Sequence, residues 1–540
     1  MTNIFIFKNA SRAAGYGIGT YVNQLSEIFS AMPDTKVSYV DIFSETKEFT
    51  LNKDDKGHTH YLIPTLNGQV ESETYCRSIF FFLARNVDVE ANDQIVFQFN
   101  YFQHYPLAIL LKSWCPKCTI LLTVHYMNWC FHLEGDVHRM KQITKEEYEP
   151  TDDKEKQVVS SFSQEKLFLH LADAVLVLSN STKGVLIDDY KVRADKIHLV
   201  YNGIGTQPYI RVCGHKRTER TILFVGRLEK EKGLRYLVDA FIQIADAYPD
   251  SNLVIVGDGD FQPYLAQSRK LPGRVIFLGK MNKDEIEEVY RSAYIGVVPS
   301  FHEQCSYTAI EMMRHGIPVV GTDSIGLNEM LDATPELQAH IHKPNFNEDD
   351  FVSQLALRIK LLLSDETAYR QASDAVHQQY GTRYTITTMA NGVQKTLSAT
   401  LTAVNRFVSP DYLPHIDYHM LSLINKQPDI DINFYGISGI GVYLWWRVLQ
   451  LEKEDAKNLD IISLIKEHLI YYLDWVEGII ATEPLPTELV NTLTSMQKHL
   501  FFPTKVSYLL KQREIVCKNN SFPSEQTILH NALKICTCKI

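Results

Sequence analysis

Short apolar runs rich in β-branched residues recur along the first 323 residues of the chain, and amphipathic stretches separate them. One series comprises residues 3–8, 37–42, 94–100, 119–125, 174–179 and 197–202, and a second comprises residues 221–227, 252–258, 275–279, 295–300 and 318–323. Near-continuous apolar strands that alternate with helices are typical of a parallel sheet covered on both faces. The pattern therefore predicts an α/β fold with two tandem, doubly wound Rossmann-like domains.

The two series are separated by residues 203–220, where glycine, proline and charged residues interrupt the pattern. Residues 349–405 are helix-like throughout, and beyond about residue 410 the strand alternation disappears in favour of helical sequence. We therefore predict three units: residues 1–205, residues 206–405 and a mostly α-helical C-terminal extension over residues 410–540. Within the first unit, residues 130–166 form a charged insertion, which we interpret as a solvated or mobile loop, with a substrate lid as the alternative.

Composition and charge narrow the class of protein. The chain has 540 residues, 45% of them hydrophobic, and its formal net charge of -10 argues against a nucleic-acid partner held by phosphate neutralisation. The N-terminus lacks the pattern of a signal peptide, and no apolar run reaches membrane-spanning length. Nine cysteines scattered through the chain indicate reduced thiols rather than a disulfide framework. We expect a cytoplasmic protein without a transmembrane segment.

Candidate chemistry lies at the carboxyl ends of the strands, where open parallel sheets bind ligands. After the first strand, Gly15, Gly17 and Gly19 allow a tight turn and a close approach of the backbone to a ligand before a helix begins. Their spacing, G-x-G-x-G, differs from the G-x-G-x-x-G fingerprint of dinucleotide-binding folds. His125 ends another strand and should face the same cleft, although a lone histidine there is more often structural.

The second predicted domain offers cations and carboxylates near the same edge. Arg227 ends a strand and Lys232 precedes a helix, so both should point into the interdomain cleft, where they would suit an anionic diphosphate. Glu303 lies in a loop, and Glu311 lies on the polar side of a helix that starts near Ser306. The N-terminus of that helix favours an anion.

Together these segments resemble the retaining GT-B glycosyltransferases of family four, which use nucleotide sugars. The resemblance covers residues 1–405 and rests on an ordered set of motifs: GYGIGTYV, TVH, VYNGI, GRLEKEKG, VGDGD, FLGKM and the E-x7-E element EQCSYTAIE, followed by HGIPVVGTD. It implies that residues 1–205 form the acceptor-side domain. It also implies that residues 206–405 bind the nucleotide sugar and end in a crossover helix.

The resemblance assigns roles to the carboxylates and the cations. Glu311 would hydrogen-bond the ribose hydroxyls, Glu303 would contact the donor sugar, and Arg227 and Lys232 would bind the diphosphate. His125 would lie near the reacting sugar. The implied donor-binding residues are Gly17, Asn202, Gly226, Arg227, Lys232, Lys280, Met281, Glu303, Ser306, Tyr307, Thr308 and Glu311, and the implied catalytic residues are His125, Glu303, Arg227 and Lys232.

Backbone groups have implied roles as well. The amides around Ser306, Tyr307 and Thr308 would cradle the diphosphate, Gly17 would lie beside phosphate and acceptor, and residues 280–281 would border the base. The chain departs from the family pattern directly after Glu303, because Gln304, Cys305 and Ser306 stand where glycines are usual. The D-x-D-like residues 258–260 follow a strand, and their family counterpart is a structural turn, so we predict no metal site there.

The activity that the resemblance implies is transfer of a hexose from a nucleoside diphosphate sugar, with retention, without metal or other cofactor, and with UDP favoured over GDP. A sugar-nucleotide epimerase of the same fold and a non-catalytic sugar-nucleotide-binding protein stay open as alternatives. A dehydrogenase is disfavoured because neither half carries G-x-G-x-x-G.

The acceptor is not specified, and a peptide, a protein and a glycan are all candidates. Residues 435–449 read YGISGIGVYLWWRVL and are similar to the glycine-rich helix starts of helical-barrel cyclases that act on modified peptides. Packing of small residues between helices is the favoured explanation of this segment. The similarity offers the alternative of a peptide or protein acceptor, or of a docked partner.

Overall fold

The structure is a computed structural model. It describes residues 1–9, 17–65, 73–87, 94–115, 118–145, 147–206, 220–341, 346–402, 473, 487–498 and 505–511. Among these residues no helix combines the length and the apolar character needed to cross a membrane.

The first domain is built on an eight-stranded sheet. Its strands are β1 (Thr2–Asn9), β2 (Thr35–Ser44), β3 (Thr50–Lys53), β4 (Thr59–Pro64), β5 (Gln94–Phe99), β6 (Thr119–Val124), β7 (Ala174–Val177) and β8 (Ile197–Leu199). They are ordered β3-β4-β2-β1-β5-β6-β7-β8, and all neighbours are parallel except β3 and β4. The predicted apolar runs correspond to the other six strands. The β3–β4 hairpin was not predicted because β3 is a largely exposed edge strand with little apolar character.

Helices cover both faces of this sheet. They are α1 (Gly17–Ser30), α2 (Glu73–Asn86), α3 (Tyr105–Trp114), α4 (Asn128–His132), α5 (Val137–Ile143), α6 (Asp153–Leu171) and α7 (Asn180–Asp188). The interpretation of residues 130–166 as a solvated loop was wrong, because α4, α5 and α6 occupy most of them. Some of their polar residues are buried and paired: Glu165 is fully buried and accepts from the Asn128 N–H at 2.6 Å.

The second domain repeats the architecture with a six-stranded sheet. Its strands are β9 (Arg220–Val225), β10 (Ser251–Val256), β11 (Val275–Gly279), β12 (Ile295–Val298), β13 (Val319–Thr322) and β14 (Gln338–Ala339), in the parallel order β11-β10-β9-β12-β13-β14. Its helices are α8 (Leu234–Ile244), α9 (Gln262–Gln267), α10 (Lys283–Ser292), α11 (Tyr307–Arg314), α12 (Leu327–Met330), α13 (Glu348–Ser364), α14 (Glu366–Arg383) and α15 (Ile386–Thr402). The prediction of two doubly wound α/β domains is confirmed.

The chain returns to the first domain after α14. Ile204 and Thr385 form a parallel β-bridge, and α15 then packs against α1. A Cβ added to Gly203 would lie 2.4 Å from the Thr385 carbonyl oxygen, so this crossing requires glycine. The last helix of the second α/β unit, α15, therefore lies against the first domain.

Only part of the predicted C-terminal extension is described. It includes α16 (Thr487–Lys498) and a helical segment over residues 505–511. Leu493, Met496, Val506 and Leu509 are buried in the same hydrophobic cluster as the first sheet. The glycine-rich segment 435–449 lies outside the described residues.

Candidate functional site

A cleft with a volume of about 440 Å³ runs between the two sheets, and residues that follow several of their strands line it. Every catalytic and donor-binding residue implied by the resemblance, from Gly17 to Glu311, lines this cleft. Gly15, which was also singled out in the first glycine loop, lies outside the described residues. The rule that parallel sheets bind ligands beyond their carboxyl ends accounts for the convergence.

Lys232 and Glu303 form an ion pair in the cleft. The Lys232 Nζ donates to Glu303 Oε1 at 2.6 Å. Burial opposes ionisation of Glu303, but the Lys232 ammonium outweighs it and lowers the pKa of this carboxyl below its ordinary value. The loop that carries Glu303 is held by a parallel β-bridge to Gly326, whose φ of 79° suits glycine. Glu303 is therefore an ionised carboxylate in a fixed loop.

The Glu311 side chain lies on the side of α11 that faces away from the core. Burial raises the pKa of its carboxyl, and the Tyr290 hydroxyl opposes this by donating to Glu311 Oε2 at 2.6 Å. Its neighbours Ala309, Ile310, Met312 and Met313 are fully buried, so the helix turns Glu311 towards the cleft.

The N-terminus of α11 also borders the cleft. Ser306 caps the helix, since its hydroxyl accepts from the Ala309 N–H at 3.3 Å. The amides of Tyr307 and Thr308 lie in the first turn, where N–H groups have no partner within the helix. This end of α11 therefore combines donors with the positive end of a helix dipole.

Arg227 lies at the end of β9, separated from it by Gly226. Its Nη1 lies 2.5 Å from Glu229 Oε2, so a carboxylate of its own turn holds the guanidinium at the strand end. A Cβ added to Gly257 would lie 1.8 Å from the Gly226 carbonyl oxygen, so two turns at the sheet edge approach each other closely. Lys280 and Met281 follow β11 on the same side of the cleft.

His125 follows β6 and lies over a buried polar network. Its Nε2 is 3.1 Å from Asn100 Oδ1, whose amide nitrogen donates to the Phe7 carbonyl oxygen and to Gln98 Oε1. This pattern assigns the proton to Nε2 and leaves Nδ1 as the acceptor. Burial lowers the pKa of His125 to about 3, so the ring is neutral at pH 7.

Several contacts cross between the two domains beside the cleft. The Tyr307 hydroxyl donates to Gln24 Oε1 at 2.6 Å, and the Asn202 amide donates to the Cys305 carbonyl oxygen at 2.7 Å. Gln304 accepts from the Thr182 hydroxyl. The side chain of Gln304 is thus engaged with the first domain, which accounts for a bulky residue where the family pattern has glycine.

Several cleft residues had no motif to identify them. Phe131 and Glu134 lie within residues 130–166, which were interpreted as a loop, and Tyr126 precedes that region. His302 directly precedes Glu303, and both of its ring nitrogens are buried without a hydrogen-bond partner. Burial lowers the pKa of His302 to about 4. Adjacency to the first glutamate was the only sequence signal for this histidine.

The D-x-D-like residues occupy a turn after β10, as predicted, and Asp258 lines the cleft. Across the described part of the chain, no cluster of three or more His, Cys, Asp or Glu side chains is arranged to hold a metal ion.

Two family models of glycosyltransferases match the chain. Residues 81–207 match the model of Glycosyltransferase Family 4, and residues 219–365 match the model of Glycosyl transferases group 1. Part of each α/β domain thus matches a glycosyltransferase model. The second match includes Arg227, Lys232, Glu303 and Glu311, whereas Gly17 lies outside both matches.

Individual relatives share parts of these glycosyltransferase domains. An uncharacterized glycosyltransferase of Methanocaldococcus jannaschii is 34% identical over 29% of this chain and 44% of its own length. The 2-deoxystreptamine glucosyltransferase of Streptomyces kanamyceticus is 34% identical over 26% of this chain and 36% of its own length. The matches thus span less than half of either relative.

Solved structures show the same fold. Sucrose-phosphate synthase from Thermosynechococcus elongatus aligns over 75% of this chain and 100% of its own, with a TM-score of 0.59 and 19% identity. At that identity the likeness establishes the GT-B architecture alone.

Proposed function

We propose that the protein is a retaining glycosyltransferase that moves a hexose from a nucleoside diphosphate sugar to an acceptor hydroxyl without a divalent metal. The observation that carries the proposal is the convergence of Arg227, Lys232, Glu303, Glu311 and the N-terminus of α11 in one cleft of about 440 Å³. This volume lies within the range of small-molecule sites. Transferase names among the relatives support the reaction class, and a glucosyltransferase among them supports a hexose.

In the proposed reaction, the bond between the anomeric carbon and the diphosphate oxygen breaks, and its electron pair leaves with the nucleoside diphosphate. A new bond forms between the anomeric carbon and the acceptor oxygen, whose proton passes to the departing diphosphate. Arg227, Lys232 and the α11 amides stabilise the negative charge on the leaving group. One well-placed donor of this kind is worth about 3 to 4 kcal/mol in the transition state.

The carboxylates and the histidine would position the donor. Ionised Glu303 accepts hydrogen bonds from sugar hydroxyls, and Glu311 accepts them from the ribose. His125 is neutral at pH 7, so it acts as a hydrogen-bonding group near the sugar rather than as a cation. Attack on the face from which the diphosphate departs would retain the anomeric configuration. We propose UDP over GDP as the nucleotide, and a peptide, protein or glycan as the acceptor.

The first experiment measures UDP and GDP release from UDP-glucose, UDP-galactose, UDP-N-acetylglucosamine and GDP-mannose in EDTA. The wild type is compared with Glu311→Ala and with Glu288→Ala, a control on α10 whose side chain is 72% exposed. We expect one nucleotide to be released by the wild type and the control and lost in Glu311→Ala.

Other outcomes identify the alternatives. An isomerised donor without an acceptor would indicate an epimerase. Tight calorimetric binding of UDP or GDP without turnover under any condition would indicate a sugar-nucleotide-binding protein. Turnover that requires Mg²⁺ would contradict the metal-independent mechanism.

A further inference from the structure

The two walls of the cleft differ in charge. The second-domain wall carries Arg227, Lys232 and Lys280. Among the described residues, the first-domain wall carries no lysine or arginine, and its one carboxylate, Glu134, lies 3.2 Å from the Lys230 Nζ. Phosphate recognition needs cationic or amide donors. The described side chains of the first-domain wall therefore offer no cation to a phosphorylated acceptor, although the backbone amides at the start of α1, around Gly17 and Ile18, are of the kind that binds phosphate.

This wall instead presents two aromatic rings. Phe131 and Tyr126 both line the cleft and pack edge to face, with ring centroids 5.3 Å apart at 61°. The Tyr126 hydroxyl donates to Gln103 Oε1 at 3.3 Å. Phe131 is 49% exposed and is the only large, exposed hydrophobic side chain of the described residues that lines the cleft.

The exposure of Phe131 does not result from a loose helix. Its neighbours Trp129 and Cys130 are buried in the first-domain core, and the backbone N–H of Asn128 donates to the buried Glu165 at 2.6 Å. The short helix α4 is therefore anchored on its inner side, and Phe131 is its outward residue. A rigid, exposed aromatic ring in a ligand cleft is suited to contact with a flat apolar surface.

We propose that Phe131 and Tyr126 form an acceptor subsite that binds an unphosphorylated ring, either an aryl group or the apolar face of a pyranose, next to the hydroxyl that is glycosylated. The proposal rests on the proposed transferase function, because it assigns the first-domain wall to the acceptor. The aromatic side chains of that wall then define the class of acceptor.

The test uses four acceptor probes with the full-length protein: 4-methylumbelliferone, methyl β-D-glucopyranoside, glucose 6-phosphate and glycerol. Acceptor-stimulated nucleotide release from UDP-glucose and GDP-mannose is measured for the wild type, Phe131→Ala and Phe131→Leu. Phe261→Ala is the matched control, since Phe261 is 43% exposed but lies outside the cleft lining. Ligand-observed NMR with the same probes measures binding independently of turnover.

We expect at least one unphosphorylated ring probe to bind and to stimulate nucleotide release. Comparison of 4-methylumbelliferone with methyl β-D-glucopyranoside shows whether the subsite prefers an aryl group or a pyranose. Phe131→Ala should raise the KM of that probe about tenfold, with a smaller rise for Phe131→Leu, while the donor KM stays unchanged. Preference for glucose 6-phosphate or glycerol would overturn the proposal. An equal effect of Phe261→Ala, or no effect of Phe131→Ala, would overturn it as well.

Failure of this proposal is distinguishable from failure of the proposed function. If calorimetry detects neither UDP nor GDP binding, the transferase assignment fails. If nucleotide binds and is released but no ring probe is bound in a Phe131-dependent way, the acceptor subsite alone is wrong.

Discussion

Lys232 and Glu303 line the cleft as an ion pair, and removing the cation is expected to destabilise the fold strongly. The Nζ–Oε1 distance is 2.6 Å, and the side chains are only 19% and 15% exposed. Removing one partner of a buried pair costs about 3 to 5 kcal/mol, because the remaining charge is left desolvated. Since both side chains keep some contact with water, we expect Lys232→Met to lower the free energy of unfolding by about 3 kcal/mol.

Removing the carboxylate instead of the cation should lower the free energy of unfolding by less. Glu303→Gln leaves a lysine whose flexible stem can turn its ammonium towards water, so we expect a loss of about 1 kcal/mol. The double variant should be less destabilised than the sum of the two single variants, by a coupling energy of about 2 kcal/mol.

The pair also has a pH signature. In the wild type the pKa of Glu303 lies below its ordinary value, so the stabilisation is present at neutral pH and is lost as pH falls through the lowered pKa. In Lys232→Met burial remains as the main influence, so the pKa of Glu303 should rise above its ordinary value. The variant should then lose stability as pH rises through that raised pKa.

Urea unfolding followed by far-UV circular dichroism between pH 4 and 8 measures these differences. Lys230→Met is the matched control, because Lys230 is 84% exposed and its ion pair with Glu134 is a surface contact. Its effect should stay within about 0.5 kcal/mol. Equal losses for the two lysine variants, or additive effects in the double variant, would refute the reasoning.

Three further substitutions test the site. Tyr290→Phe removes the hydroxyl that donates to Glu311, so the pKa of Glu311 should rise. Calorimetry should then show about tenfold weaker UDP binding at neutral pH, and the midpoint of the pH dependence of binding should move to higher pH. Asn100→Asp places a carboxylate against His125, so NMR titration should show the pKa of that ring rising from about 3. Gly326→Ala places a Cβ 2.2 Å from a carbonyl oxygen of the E-x7-E loop at a positive φ, so urea unfolding should show a loss of about 2 kcal/mol or more.

Each of these substitutions has a matched control. Tyr508→Phe alters a tyrosine that is 44% exposed and should leave UDP affinity unchanged. Asn100→Ala adds no charge, so a similar rise in the pKa of His125 would contradict the electrostatic explanation. Gly273→Ala shares the positive φ but meets nothing within 4 Å, so only backbone strain of about 1 kcal/mol should remain. An equal loss at Gly326 would show that the clash is unimportant.

The strand series of both domains could be predicted because parallel strands covered by helices are apolar over most of their length. The residues of β6 are all buried, and their sequence TILLTV is a continuous apolar run apart from threonines. The β3–β4 hairpin could not be predicted in this way, because an edge strand keeps polar residues exposed. The helices of residues 130–166 were missed because polar residues such as Glu165 are buried against partners from other elements.

The sequence by itself determined two doubly wound domains. It also placed Arg227 at a strand end, Lys232 before a helix, and Glu303 and Glu311 in the loop and helix that follow another strand, and topology sends these segments to one edge. Only the tertiary structure decided which groups meet there. Lys232 and Glu303 are 71 residues apart in sequence but form an ion pair, and the exposed ring of Phe131 is directed to the cleft by a helix anchored in the core. Pairing and exposure depend on the packing of distant segments, which local periodicity does not encode.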